Sequence, residues 1–443
     1  MRCLLLRHCC CNNLNHWLRT VAPEDVKEAA QRFDAAVHDT ITTMLSPQNQ
    51  TFELPSRSED QARLIVKKGG LGLISAEPTA DPAWLGSWSL TKPLLKSVLQ
   101  KHLVITTRLD NLSGVISADH RAAASISAAY DRVAVLAQQC SCPLPAKDNL
   151  EEIPEKAQKR FNHSVIAALD SRLMAATDRW GDDEDRARIH STRGYGACGW
   201  LQTLPTVSWA RFTPSLYRIL LCMHLGLPQR LAFGGCKCAC GATVDDRGYH
   251  YLTCRRGGHR ITTHNSMVRH LHSMTRACNY VSRIVNLTPL FRTATGRHVP
   301  DQVIFDWCDD GTHLATDTSI TCPCAATHRA EAAHVPGSAG KTRETKKRVK
   351  YVALCEAAEM QFSPLVFETF GAWAEGTQAF LLACVAQVRN RLEEDELRSW
   401  TSTTFKQLWL QRISCTLMRG VAKCIRYRSR RDFETAGVNT DDL

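Results

Sequence analysis

Between Val26 and Leu45 the apolar side chains Val26, Ala30, Phe33, Val37, Ile41 and Met44 recur every three or four positions, with Lys27, Glu28, Arg32 and Asp39 between them. That spacing puts the apolar set on one helical face and predicts an amphipathic helix packed on a larger body. Pro23 upstream and Ser46-Pro47 downstream supply its start and stop chemistry. Residues 84–138 and 156–178, rich in Ala and Leu, read as further helices, and Pro214 to Leu225 as another. The prolines, cysteines and charges from Cys140 to Pro154 break the period and mark a linker. Gly181 to Asp185 reads as an acidic turn, and Lys67 to Leu73 as a glycine-rich turn without the lysine of a phosphate loop.

Further on the period changes from helical to alternating. His298 to Trp307 alternates as a strand, Asp309-Asp310-Gly311 is a turn signal, and His313 to Thr321 reads as the returning strand. A three-residue loop centred on Asp309 makes paired positions sum to 618, which sets Asp301 opposite Asp317 on one face. A two-residue turn at Asp309-Asp310 shifts the register by one and splits the acids between faces. Opposed carboxylates repel unless a cation sits between them, and oxygen ligands of this kind suit Mg²⁺ beside a substrate phosphate. Trp307-Cys308-Asp309-Asp310 has the aromatic-x-Asp-Asp spelling of a polymerase palm but is read as the turn. The basic run from Lys341 to Tyr351 leads into a helix, and Pro364 to Gly371 is an apolar run fit for a buried strand. Strand, strand, helix and strand predict an α/β nuclease-like core.

Composition narrows the function classes. The 443 residues carry 55 basic and 44 acidic side chains, a net charge of +11 that favours polyanionic partners. The length suggests about three compact units. Twenty cysteines in so long a chain do not read as a secreted disulfide scaffold. The apolar run Leu4 to Leu6 is too short for a signal core, and no later run is long enough for a membrane helix. A reducing compartment is expected, with neither membrane nor small-molecule partner.

Several thiols cluster instead. Cys238, Cys240, His250 and Cys254 offer three sulfurs and one imidazole, a tetrahedral zinc set, with Cys236 possible in place of Cys238. Gly241 and the Asp245 to Gly248 turn return His250 towards the thiolates, and His250 and Cys254 lie one helical turn apart. Metal affinity of roughly 10 to 16 kcal/mol would fold such a small module. The competing reading is a set of ordinary free thiols.

These residues together resemble the C-terminal region of non-LTR retrotransposon proteins that encode a restriction-like endonuclease. Asn15 to Pro23, the helix after it and Gly69 to Leu73 resemble the thumb-like segment that follows the reverse transcriptase palm. Cys238, Cys240, His250 and Cys254 resemble its zinc knuckle, and Thr263-His264-Asn265 its basic-His-Asn motif. Pro300-Asp301, Asp317 and Lys350-Tyr351 fall where the PD-(D/E)XK nucleases place two acids and a lysine. The resemblance spans nearly the whole chain and implies a nuclear, Mg²⁺-dependent enzyme that nicks DNA so that the freed 3′-hydroxyl primes copying of element RNA, with no polymerase site expected here. It makes Asp301, Asp317 and Lys350 catalytic, with Arg255, Arg256, Arg260, His264, Lys346 and Lys347 on nucleic acid.

The expected organisation is α+β and multidomain, with a mostly helical N-terminal half, a small zinc knuckle and an α/β restriction-endonuclease-like C-terminal domain. Its segments are a thumb-like 1–138, a helical connector 139–232, the knuckle 233–265, the nuclease 266–385 and a basic helical tail 386–443. The alternatives are a non-catalytic zinc-containing nucleic-acid-binding protein, in which the knuckle and basic segments including Arg426 to Arg431 grip phosphates, and an inert element fragment.

Overall fold

Helical apolar spacing recurs through most of the chain, and helices are what it forms. A computed structural model describes residues 2–46, 52–98, 121–152, 157–175, 182–229, 237–285, 292–293, 296–297, 299–392 and 400–435. The architecture is mixed α+β, divided into two compact units, Met1–Ala176 and Thr177–Leu443. That boundary falls inside the predicted connector 139–232, whose first part belongs to the helical unit and whose second belongs with the knuckle and sheet.

In the first unit the longer helices are α1 (Pro23–Leu45), α2 (Ser56–Arg63), α3 (Glu77–Val98), α4 (Arg121–Gln139) and α5 (Ala157–Ala175). Helix α1 buries Val26, Ala30, Val37, Ile41 and Leu45, and Pro23 opens it with Glu24 and Asp25 in the first turn, where the helix dipole favours acids. Leu85 and Trp88 of α3 pack with Ile126, Ala129 and Val133 of α4 and Phe161 of α5. The predicted linker is part of that core: Leu150 is fully buried in it, and Lys92 Nζ donates to the Asp148 carbonyl at 3.1 Å. One leucine was enough to anchor a segment whose prolines and charges had hidden any period. The predicted helix over 84–138 comprises α3 and α4, with residues 99–120 outside the described ones. Gly70 answers to close packing, since a Cβ there would lie 2.0 Å from the Leu64 carbonyl oxygen.

The second unit opens with α6 (Asp182–Arg193), so the acidic run forms a helix N-terminus and not a turn. Acids there satisfy the positive end of the dipole. Its helices continue as α7 (Pro214–Leu225), α8 (Tyr249–Thr253) and α9 (His259–Ala277). Strands β1 (Ser282–Ile284), β2 (Gln302–Ile304), β3 (His313–Thr321) and β4 (Met360–Glu368) form a sheet in that order. The first two junctions are antiparallel and β3–β4 is parallel, with α10 (Ser338–Glu356) as the crossover. Helix α10 packs Tyr351 and Cys355 on Val303 and Ala315, while on the opposite face Gln302 reaches Thr275 of α9 at 2.9 Å.

Helices α11 (Glu375–Gln387) and α12 (Phe405–Thr435) complete the unit. The segment expected as a basic tail is a core helix, with Leu408, Trp409, Ile413, Leu417, Met418, Ala422 and Ile425 buried. Its charges hide an apolar face at helical spacing. Among the described residues no helix is long and apolar enough to cross a membrane.

Candidate functional site

The thiol cluster is built by one loop. Gly241 N donates to the Cys238 carbonyl at 2.7 Å and Cys238 N to the Ala242 carbonyl at 2.9 Å, a tight knuckle that Gly241 completes at φ +87°. Asp245 then accepts from the backbone N–H groups of Tyr249 at 2.8 Å and His250 at 2.6 Å, which starts α8 and aims the imidazole. Cys254 follows one turn later, its N–H bonded to the His250 carbonyl at 2.9 Å. The ligand atoms of Cys238, Cys240, His250 and Cys254 all lie within 4.8 Å of one another.

Two edges of this cluster test its fit to zinc. Cys238 Sγ and Cys254 Sγ are 3.9 Å apart, and Cys240 Sγ and His250 Nε2 are 3.3 Å apart. A tetrahedron with Zn–S near 2.3 Å and Zn–N near 2.0 Å has S–S edges of about 3.8 Å and S–N edges of about 3.5 Å. The cluster can therefore hold a zinc ion with all four positions filled by protein. Cys236 lies outside the described residues.

The carboxylate site is assembled over longer range. Gln302 pairs with Thr316, Val303 with Ala315 and Ile304 with Leu314, the register predicted for the hairpin; the ladder ends there, and Asp301 N donates to the Thr316 carbonyl at 2.9 Å instead of pairing with Asp317. The turn is not the predicted one. Gly311 N donates to the Cys308 carbonyl at 3.0 Å and Trp307 N to the Thr312 carbonyl at 2.9 Å, so Asp309 and Asp310 alone form the tip. Such a turn would shift the register, but Phe305 and Asp306 both stand opposite His313 and absorb the extra residue as a bulge. Asp306 takes φ +49°, and its N–H donates to His313 Nδ1 at 3.1 Å. Trp307, between Tyr280 and Phe380 at ring distances of 4.8 and 5.4 Å, anchors the turn in the core.

Each acid has its own basic partner. Asp301 Oδ2 accepts from Thr318 N at 2.6 Å and meets His264 Nε2 at 3.1 Å, while His264 Nδ1 lies 3.2 Å from Asn265 Oδ1. The bond to Asp301 raises the His264 pKa to about 9 against the opposing effect of burial. Among the described residues Asp301 Oδ1 has no protein partner, which leaves a free carboxylate oxygen for a cation. Asp317, 4% exposed in the centre of β3, pairs with the Lys347 ammonium.

Lys347 is the lysine paired with Asp317; Lys350, the catalytic lysine expected from the sequence pattern, is within electrostatic reach of both Asp317 and Asp301 without pairing with either. Lys350 Nζ donates to Tyr351 Oη at 3.0 Å and lies 4.5 Å from the ring centre, and its pKa is lowered by partial burial and then by Lys347. Tyr351 Oη donates to the Val299 carbonyl at 3.1 Å, and burial followed by the Asp317 charge pushes its pKa up. The predicted Lys346 is exposed elsewhere on α10 and acts electrostatically on His328. Arg343 was overlooked: its Nε donates to Ser319 Oγ at 2.7 Å. Helical spacing could have found both, since residues 343, 347 and 351 run in steps of four along the sheet-facing stripe of α10.

A cleft of about 340 Å³ lies beside both regions, lined by neighbours of the thiol ligands and of the aspartates but by none of those residues themselves. Arg255, Arg256 and Arg260 line one wall, and His264, Ser319, Arg343 and Lys347 another. Arg260 is steadied by a 2.9 Å bond to the Thr253 carbonyl, while Arg255 and Arg256 are exposed. Such a concave basic surface suits a phosphate-bearing chain. Comparison with protein-family models and with curated proteins returned no match to this chain.

Proposed function

We propose that this protein is a metal-dependent DNA endonuclease of restriction-like type, with a structural zinc knuckle forming one wall of its DNA cleft. The observation that carries this reading is at the mouth of the hairpin, where Asp301 accepts from the N–H of Thr318, the residue after Asp317, and Asp317 pairs with a lysine from the crossover helix. Thr318 N and His264 occupy Asp301 Oδ2, so Oδ1 is the oxygen offered to a cation. Lys347, paired with Asp317 and lining the cleft, would stabilise charge developing on a phosphate in the transition state. Arg255, Arg256, Arg260 and Arg343 bind flanking phosphates, which fixes position without reading sequence. A divalent cation such as Mg²⁺, when bound by the two aspartates, would supply Lewis acidity and a more acidic water. Chromosomal DNA as substrate implies a nuclear location, and the resemblance adds element RNA as a second partner.

The test is nicking of a supercoiled plasmid with Mg²⁺. Wild-type protein is expected to nick, and Asp301→Ala and Asp317→Ala are expected to bind DNA without cutting it. Nicking that survives both substitutions refutes the site. Salt-sensitive binding with no cleavage under any divalent ion makes the protein a non-catalytic binder.

A further inference from the structure

The basic run near the C-terminus contains one arginine that faces inward. Arg428 of α12 is 5% exposed, whereas Arg426 is half-buried and Arg430 exposed. Its Nη2 donates to Cys238 Sγ at 3.1 Å and to Cys254 Sγ at 3.0 Å. Its Nη1 donates to the Tyr251 carbonyl at 3.2 Å and the Cys254 carbonyl at 3.4 Å, and the guanidinium lies 5.1 Å from the Tyr251 ring centre. One turn earlier on the same helix, Cys424 Sγ reaches the Tyr251 carbonyl at 3.3 Å. Gly257 borders Arg428 at φ +95°, where a Cβ would come 3.3 Å from Nε. A chain-distant side chain thus addresses two of the four ligands at once.

We propose that Arg428 is the outer partner of the metal site: it neutralises the zinc–thiolate centre and fastens the knuckle to α12. Three thiolates and one neutral imidazole around a dication leave one net negative charge in a half-buried place, where Cys238 and Cys254 are buried and Cys240 is exposed. A fixed, permanently charged guanidinium supplies the opposite charge together with two N–H bonds to sulfur. Partners of this kind orient the ligands and tune the metal. Because α12 is a core helix of the second unit, the bond also holds the wall carrying Arg255, Arg256 and Arg260 in place over the sheet. Arg428 therefore does not grip phosphate, the role first expected for the 426–431 run.

The proposal rests on the zinc reading of the cluster, and the experiment separates the two. The full chain is loaded with Co²⁺, the near-ultraviolet thiolate-to-cobalt band is recorded, and zinc affinity is measured by competition with a chromophoric chelator. Wild-type protein shows the band of a tetrahedral thiolate site; its absence overturns the metal site and the proposal with it. Arg428→Met is expected to shift the band to lower energy, because sulfur lone pairs lose their hydrogen bonds, and to weaken zinc binding about 10- to 100-fold. Arg428→Lys, which keeps the charge but not the fork, falls between and covers the case in which Arg428→Met fails to fold. Arg426→Met matches wild type. A band energy and zinc affinity unchanged in the Arg428 variants overturn the proposal.

Discussion

The thiol cluster and the carboxylate site share one unit but are built over different ranges of chain. All four thiol-cluster ligands come from the loop between Cys238 and Cys254, aimed by the loop's own turns. The carboxylate site draws Asp301 from the start of a hairpin, Asp317 from its return strand, Lys347 from the crossover helix and His264 from α9 on the other face of the sheet. A local site is set by loop geometry, so its spacing survives in the sequence. A distributed site depends on register and helix docking, so the same residue types say less. Charge is settled differently too: the thiols share one arginine, whereas each aspartate has its own base.

If the cluster is self-contained, Cys254→Ser should have the largest effect. Zinc content is expected to fall from one ion per chain to none, with loss of roughly 10 to 16 kcal/mol of metal-linked folding energy. Metal analysis and hydrogen exchange over 237–260 would show it, and full zinc retention would remove the contrast between the regions. Next, Asp317→Leu strands the Lys347 ammonium in a buried place and should cost about 3 to 5 kcal/mol of stability in denaturant titration. The double variant with Lys347→Met should recover most of that loss, since both charges are then gone. The choice of lysine comes third. Lys347→Met should slow nicking by about 10² to 10³, as loss of one charge-stabilising donor does elsewhere, whereas Lys350→Met stays within about tenfold.

The His264 contact predicts a smaller effect that depends on pH. Its folded-state pKa, about 9, is above the 6.5 of an ordinary histidine, so the contact's stabilisation is fully present below about pH 6.5 and is lost as pH rises through about 9. Melting curves without added divalent metal should therefore separate wild type from His264→Gln by roughly 2 kcal/mol at pH 6, closing towards pH 9.5. A gap that widens with pH would contradict the pairing. The smallest effect tests the bulge: Asp306→Gly relieves a left-handed residue and should stabilise the fold by at most about 1 kcal/mol with nicking intact. Deleting Asp306 instead should move the ladder by one step and abolish nicking.

Much of this was legible in the chain. Helix α1, helix α7, β3 and the apolar part of β4 follow their periods closely, whereas of the first hairpin strand, expected from His298 to Trp307, only Gln302–Ile304 forms, with His298 outside the described residues. The hairpin is instructive, because the register agrees with expectation while the turn does not. Both faces of the paired strands are buried, Val303 and Ala315 under α10 and Gln302 towards α9, and the bulge at Asp306 lets the two-residue tip keep that register. Misread segments had their packing partners far away. Leu150 has no period around it but finds a pocket between three helices, and α12 looks basic because one stripe of it is. Lys347 and Lys350 are equivalent as letters, and only the docking of α10 distinguishes them.

By itself the sequence determined the helical periods, the alternating hairpin with its register from Gln302 to Ile304, and a local cysteine–histidine set of zinc type. These properties depend on neighbours within a few turns or one hairpin, where backbone geometry leaves little choice. Tertiary structure alone decided which lysine meets Asp317, that His264 holds Asp301, and that Arg428 turns away from solvent to two thiolates about 170 to 190 residues earlier. Those contacts join positions far apart in the chain, and the enclosing packing, not local propensity, brings them together.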